Sequence, residues 1–249
     1  MKTESLDIIL AFALVFVVTA GFSQTWQQVP PFQGFGGPET NYYGSIGMSA
    51  DGKIICAFPE VNYPVISTNS GTTWIRSTNT GNWSSSHLGG TAVSADGLRI
   101  YDTMANPAVD WHEIQVTTNV GANWGSVAFP IAKIPGAQVV ACSANGTKVI
   151  AAWMNSQVFY STNGGANYAT SSVSPANWIS LASSAEGGRM VAAASGGSIY
   201  FSEDYGATWT PANLSADAWN GVCTSAMANG SERHRTRILT SPQIPASPG

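Results

Sequence analysis

Asp110, Trp111, His112 and Glu113 form the densest run of side chains able to do chemistry in this sequence. Two carboxylates and an imidazole would suit a divalent metal. Consecutive residues of an extended segment point to opposite sides, however, so the three cannot converge on one ion without a turn. The expectation is no bound metal. Glu60 and Asp110 are the pair that could share acid and base work, as the two carboxylates of a glycoside hydrolase do. Their spacing in sequence does not fix their separation, and the simpler reading is two solvated loop acids. Tyr63, Trp83, Trp111 and Trp153 offer aromatic faces for stacking on sugar rings or filling an apolar pocket of a partner. Core packing is the favoured reading for Trp111 and Trp153, with binding as the alternative. Glu60, Tyr63, Trp83, Asp110, Trp111, His112 and Trp153 are therefore the candidate ligand-binding set. No Ser/His/Asp order, phosphate loop or zinc spacing occurs, so neither a catalytic residue nor a cofactor is expected.

The elements that must position these residues show themselves as repeats. One octet recurs four times, as Ser67 to Trp74 (STNSGTTW), Thr117 to Trp124 (TTNVGANW), Ser161 to Tyr168 (STNGGANY) and Ser202 to Trp209 (SEDYGATW), with starts 50, 44 and 41 residues apart. A second motif alternates with it: Ser49 to Gly52 (SADG), Ser94 to Gly97 (SADG), Ser143 to Gly146 (SANG) and Ser184 to Gly187 (SAEG). Asp and Asn fold their side chains onto nearby backbone N–H groups, and the glycine takes positive φ without a Cβ clash, so both motifs read as hairpin turns. Short apolar stretches between them, such as Arg189 to Ala194, read as strands. Each repeat is then strand A, the SADG turn, strand B, a variable loop, strand C, the octet turn, strand D and a second variable loop. Four antiparallel strands in about 40 to 50 residues make one propeller blade.

The octet resembles the Asp box, S-x-D-x-G-x-T-W, also called the BNR repeat, of sialidases, sortilin-type receptors and photosystem II assembly factors. Ser202, Asp204, Gly206 and Trp209 match it best. Ser67, Asn69, Gly71 and Trp74, then Asn119, Gly121 and Trp124, then Asn163, Gly165 and Tyr168 keep the pattern with Asn where the family prefers Asp and with one Tyr for Trp. The resemblance implies an all-β propeller of four-stranded antiparallel blades with Asp-box turns, complete or cut short. It also implies that the octets lie opposite the functional face, so that Glu60 and Asp110 share the functional one. Trp74, Trp124 and Trp209 are assigned to the interior. A sialidase would need three arginines on the loop face, but Arg99 and Arg189 follow SADG turns on the other side. Arg76, Arg233, Arg235 and Arg237 alone remain, so sialidase activity is not expected.

Composition agrees with a short-stranded β protein: 44% of the 249 residues are hydrophobic and only 10% charged, against about 25% in typical domains. The net charge of -4 gives no basic surface for nucleic acid. Lys2 precedes an apolar run of 13 residues, Ile8 to Ala20, too short for a comfortable span of about 20 residues, and small residues follow where a signal peptidase cuts. Residues 1–23 are read as a signal peptide, 24–226 as the propeller and 227–249 as an atypical tail without regular structure. Thr25 to Val29 resembles a lone strand D, and Trp219 to Thr224 strand A of a fifth repeat. Cys56, Cys142 and Cys223 show no disulfide framework, and Asn82, Asn145, Asn213 and Asn229 each begin an N-x-S/T sequon. The combined expectation is a secreted, non-enzymatic binding module that takes a glycan or protein partner and has no stable membrane span. The alternatives are an Asp-box glycoside hydrolase and a scaffold protein like the photosystem II assembly factors.

Overall fold

The computed structural model describes residues 43–59, 63–77, 89–106, 111–128, 138–214, 219–224 and 237–240. Expectations placed on residues 1–42, the signal peptide and the strand at Thr25 to Val29 included, lie outside them, as do Glu60, Trp83 and Asp110.

The first sheet consists of β1 (Tyr43–Met48), β2 (Ile55–Pro59), β3 (Val65–Ser67) and β4 (Ile75–Arg76). The second contains β5 (Thr91–Val93), β6 (Ile100–Asn106), β7 (Trp111–Thr117) and β8 (Gly125–Ala128). The third is β9 (Gln138–Cys142), β10 (Val149–Trp153), β11 (Val158–Ser161) and β12 (Ala169–Thr170), and the fourth β13 (Trp178–Ser183), β14 (Met190–Ala194), β15 (Ile199–Ser202) and β16 (Thr210–Pro211). Strand order within each sheet follows the chain, and every pairing is antiparallel.

The SADG turns close the A–B hairpins through their own side chains. Ile54 N–H donates to Ser49 Oγ at 3.0 Å and Lys53 N–H to Asp51 Oδ1 at 3.0 Å; Arg99 to Ser94 and Lys148 to Ser143 repeat the first bond at 3.0 Å each. Glu186 replaces the short acid in the fourth turn, where Arg189 N–H still reaches Ser184 Oγ at 3.2 Å. In the octets the hydroxyl of the first residue accepts from the glycine N–H: Gly71 to Ser67 at 2.8 Å, Gly121 to Thr117 at 3.0 Å, Gly165 to Ser161 and Gly206 to Ser202 at 2.9 Å. Asn69 Oδ1 accepts from Thr73 N–H and Asp204 Oδ1 from Thr208 N–H, both at 2.8 Å, so Asn and Asp serve the turn alike. Gly206 has the positive φ expected, 93°, but the residue before the glycine is left-handed too: Ser70 at 57°, Val120 at 56° and Tyr205 at 63°. Two successive left-handed residues turn the octet, one more than the glycine pattern announces.

Successive sheets pack through their first strands, β1 on β5, β5 on β9, β9 on β13, and β13 on β17 (Trp219–Cys223). Each interface has its own apolar cluster: Cys56, Phe58, Ile66 and Ile100 between the first two sheets, and Ile150, Ala152, Val158, Leu181 and Met190 between the third and fourth. Because both faces of a sheet are covered, β2, β10 and β14 are buried along their whole length. Trp74, Trp124 and Trp209, expected in the interior, are only half-buried. Trp74 and Trp209 turn back to donate to the octet carbonyls of Gly71 and Gly206 at 3.0 and 2.9 Å. β17 starts a fifth sheet, and its partner lies in the stretch read as the tail. β18 (Arg237–Thr240) pairs antiparallel with it, Cys223 opposite Arg237 and Val222 opposite Ile238. No helix among the described residues is long and apolar enough to cross a membrane.

Candidate functional site

Antiparallel order puts the SADG and octet turns at one end of the sheets and the B–C and D–A connections at the other. The turn end is occupied by scaffold contacts. At the loop end the sheets differ. In the third sheet β10 and β11 are joined by a tight turn, with Ser156 N–H donating to Trp153 O at 3.2 Å, and in the fourth Gly197 N–H donates to Ala194 O at 3.2 Å. In the second, β6 and β7 run to seven residues each and stay paired out to Ala105 opposite His112 and Asn106 opposite Trp111. This hairpin's paired strands extend past those of the third and fourth sheets at the loop end, and residues 107–110, Asp110 among them, connect them.

Tyr63 lies on the adjacent first sheet, just ahead of β3, half-buried against the Phe58 cluster. The Arg76 guanidinium from β4 sits 4.4 Å from its ring centroid. Stacking of this kind holds the planar fork in one orientation.

Between these two sheets runs a polar seam that the candidate set did not contain. Thr91 Oγ1 donates to Asp102 Oδ1 at 3.0 Å and is also hydrogen-bonded to Ser45 Oγ. Gln115 Nε2 donates to Glu113 Oε1 at 2.7 Å. Asp102 and Gln115 face each other across β6 and β7 and are fully buried, and Glu113 is nearly so. Counting from the turns, Asp102 stands where the other repeats have Ala57, Ala151 and Ala192, and Gln115 where they have Val65, Phe159 and Tyr200. That departure from three apolar residues was the available signal. Burial, and then the Asp102 charge, push the Cys56 thiol far up, so it stays protonated and is no nucleophile. Cys142 is raised to about 12, again by burial, and the three cysteines form no disulfide.

Trp153 does not belong to a binding surface. It is 0% exposed, packed edge-to-face on Phe159 with ring centroids 5.7 Å apart, in the cluster between the second and third sheets. Of the candidate set, the structure thus brings Tyr63 and the backbone of Trp111 and His112 to the loop ends of the first two sheets and sends Trp153 to the core. The described carboxylates of this region, Asp102 and Glu113, are buried in the seam rather than paired across an open cleft.

No protein-family model matches the chain, and the search of curated proteins found no match. Solved structures are. A GH74 enzyme of Niastella koreensis superposes with a TM-score of 0.60 at 20% identity, over 79% of this chain and 28% of that one. YCF48 bound to D1 peptide gives 0.51 at 16% identity, over 75% and 58%. YCF48 from Cyanidioschyzon merolae gives 0.54 at 15% identity, over 86% and 75%. The fold is a β-propeller. Its four-stranded sheets are blades, β1, β5, β9, β13 and β17 are the inner strands, and the described part holds four full blades and two strands of a fifth. The chain spans 28% and 58% of the first two of these neighbours.

Proposed function

We propose that this propeller is a secreted, non-enzymatic binding module that engages a protein or glycan partner at the loop ends of its first two blades. One observation carries the reading: the β6–β7 hairpin reaches past the tight turns that close the third and fourth blades, beside the stacked Tyr63–Arg76 pair. Variable segments held on a rigid scaffold are where recognition normally sits. Support of a more distant kind comes from the neighbours, one of which is bound to a peptide while another is a GH74 enzyme. Residues 1–23 would direct export, and the octets are taken as Asp boxes on the strength of their sequence.

The test is a glycan array and a pull-down from extracellular extract, run beside turnover assays on sialosides and aryl glycosides. Trp111→Ala, Glu60→Ala and Arg76→Ala are expected to weaken capture at least tenfold while leaving the thermal midpoint in place. Turnover that disappears with Glu60→Gln or Asp110→Asn would replace this reading with the hydrolase one.

A further inference from the structure

Of the N-x-S/T sequons, the one at Asn145 has all three of its residues described; Asn82, Asn229 and the Ser215 of the Asn213 sequon lie outside the described residues. Asn145 is the third residue of the SANG turn between β9 and β10, where the first two repeats carry Asp51 and Asp96. It is exposed. The turn engages one end of its amide. Oδ1 accepts from the Ser143 hydroxyl at 2.8 Å, from Thr147 N–H at 2.9 Å and from the Thr147 hydroxyl at 2.8 Å. A backbone N–H can only donate, which fixes this atom as the oxygen and the other as Nδ2.

The equivalent turns show that the second atom is dispensable. Asp51 takes the Ser49 hydroxyl and Lys53 N–H on one oxygen, Oδ1, and Asp96 takes the Ser94 hydroxyl and Leu98 N–H in the same way. The other oxygen of Asp51 points outward to the Lys53 ammonium, at 3.1 Å. At Asn145 that outer place belongs to Nδ2, which makes no hydrogen bond among the described residues. A substituent on Nδ2 therefore displaces no contact of the turn. Thr147 supplies the hydroxyl that the acceptor motif requires two residues on, and Gly146 between them has φ 68°, which glycine takes without strain. The bonds that shape the site join residues two apart, so the turn can form before the blade around it is complete.

We propose that Asn145 is an N-glycosylation site, a modification that rests on the export part of the function proposed above. The co-reactant is an oligosaccharide carried on a polyprenyl pyrophosphate. The bond from Nδ2 to the anomeric carbon of its first sugar forms while the bond from that carbon to the pyrophosphate oxygen breaks. The pyrophosphate leaves with the bonding electrons, and the amide gives one proton to a carboxylate of the transferring enzyme. The glycan then stands at the turn end of the third blade, away from the β6–β7 hairpin and the Tyr63–Arg76 pair. It covers the turns with a bulky, solubilising group and leaves the loop ends open.

The full chain is produced in a eukaryotic secretory host twice, once with its own residues 1–23 and once with a leader of the host in their place. Chain from cells and medium together is treated with peptide N-glycosidase in heavy-oxygen water, which turns a glycosylated Asn into labelled Asp, and residue 145 is read by peptide mapping. Labelled Asp is expected at 145, lost in Thr147→Ala and restored in Thr147→Ser. Asn145→Asp removes the glycan but keeps the acceptor oxygen that Asp51 and Asp96 use, so its thermal midpoint should match the parent's. An unmodified Asn145 on the chain with the host leader overturns the proposal, whatever the other sequons carry. Label that persists in Thr147→Ala marks spontaneous deamidation of the Asn145–Gly146 pair and overturns it as well. Label on the host-leader chain alone sustains the site and overturns instead the reading of residues 1–23 as an export signal.

Discussion

Lys148 lies over Gly187 of the next blade so closely that a Cβ there would stand 2.6 Å from both its Cβ and its Cγ. Its stem then runs on, with the ammonium 4.6 Å from the Tyr205 ring centroid and 3.2 Å from the Thr162 carbonyl. The SADG glycine therefore answers to two demands, its own φ of 73° and the side chain arriving from the blade before. Arg99 over Gly146 shows the same arrangement one junction earlier.

Gly206→Val should destabilise the fourth blade. The position has φ 93°, and an added Cβ would come 2.6 Å from Ile150 Cγ2. A strained left-handed residue costs about 1–3 kcal/mol before any clash is counted. Gly125→Ala is the control, since nothing lies within 4 Å of it, and it should stay within about 0.5 kcal/mol of the parent. Urea denaturation of both variants checks the contrast.

Trp153→Ala should cost about 3–5 kcal/mol, the range for a large aromatic lost from a packed core, because Trp153 is 0% exposed. Trp209→Ala, half-buried at the blade seam, should cost visibly less. Equal losses in calorimetry would mean that the indole of Trp209 carries more of the packing than its exposure suggests.

Gln115→Val installs the residue of the first repeat, Val65, but strips the buried Glu113 carboxylate of the amide that donates to it at 2.7 Å. The expected loss is about 1–3 kcal/mol. Glu113→Gln in the same background should recover part of it, a recovery that a simple cavity would not produce.

Acid should loosen the turns in a definite window. Hydrogen bonds from the Lys53 backbone and then the Ser49 hydroxyl hold the Asp51 carboxyl down at about 2. For Asp204, burial acts upward but is outweighed by hydrogen bonds from Thr208 and Ser202, so its carboxyl also ionises below the usual range. A carboxyl whose folded value lies below the unfolded one, about 3.9, adds stability above that pH and loses it as pH falls through the folded value. Unfolding midpoints should therefore drop between roughly pH 4 and 2, and Asp51→Asn with Asp204→Asn should flatten the drop. Asn145 and Asn163, which already occupy equivalent turn positions, do not titrate there.

What the sequence discloses follows from the range of the interactions. The turns of Ser49, Ser67 and Ser202 are held by bonds between residues two to five apart, so their chemistry is written locally and the four-stranded blades could be read from it. Trp153 sits beside a loop in the sequence and its counterparts, Pro59, Met104 and Ala194, share no type, so repetition does not decide between core and binding face; the space beside Ala151 and Phe159 does. β18 follows a basic stretch with no repeat signature, and its pairing with β17 is a matter of tertiary partnership. The polar seam was visible in principle, as a carboxylate at 102 where three repeats carry alanine, but its closure by Thr91, Gln115 and Glu113 depends on register across three strands.

Among the described residues the blades pack on their sequence neighbours alone, and this has a kinetic side. A chain in which each unit touches just the one before and the one after behaves as a one-dimensional stack, whose cohesion is a sum over junctions. Opening can then start at either end and travel inward like a zipper, without a single global event. Backbone amides of β10 and β14, sealed on both faces, are the last to exchange with solvent, and those of β1 and β17 the first. Mechanical or thermal damage would register at the ends of the stack well before it reaches the third blade.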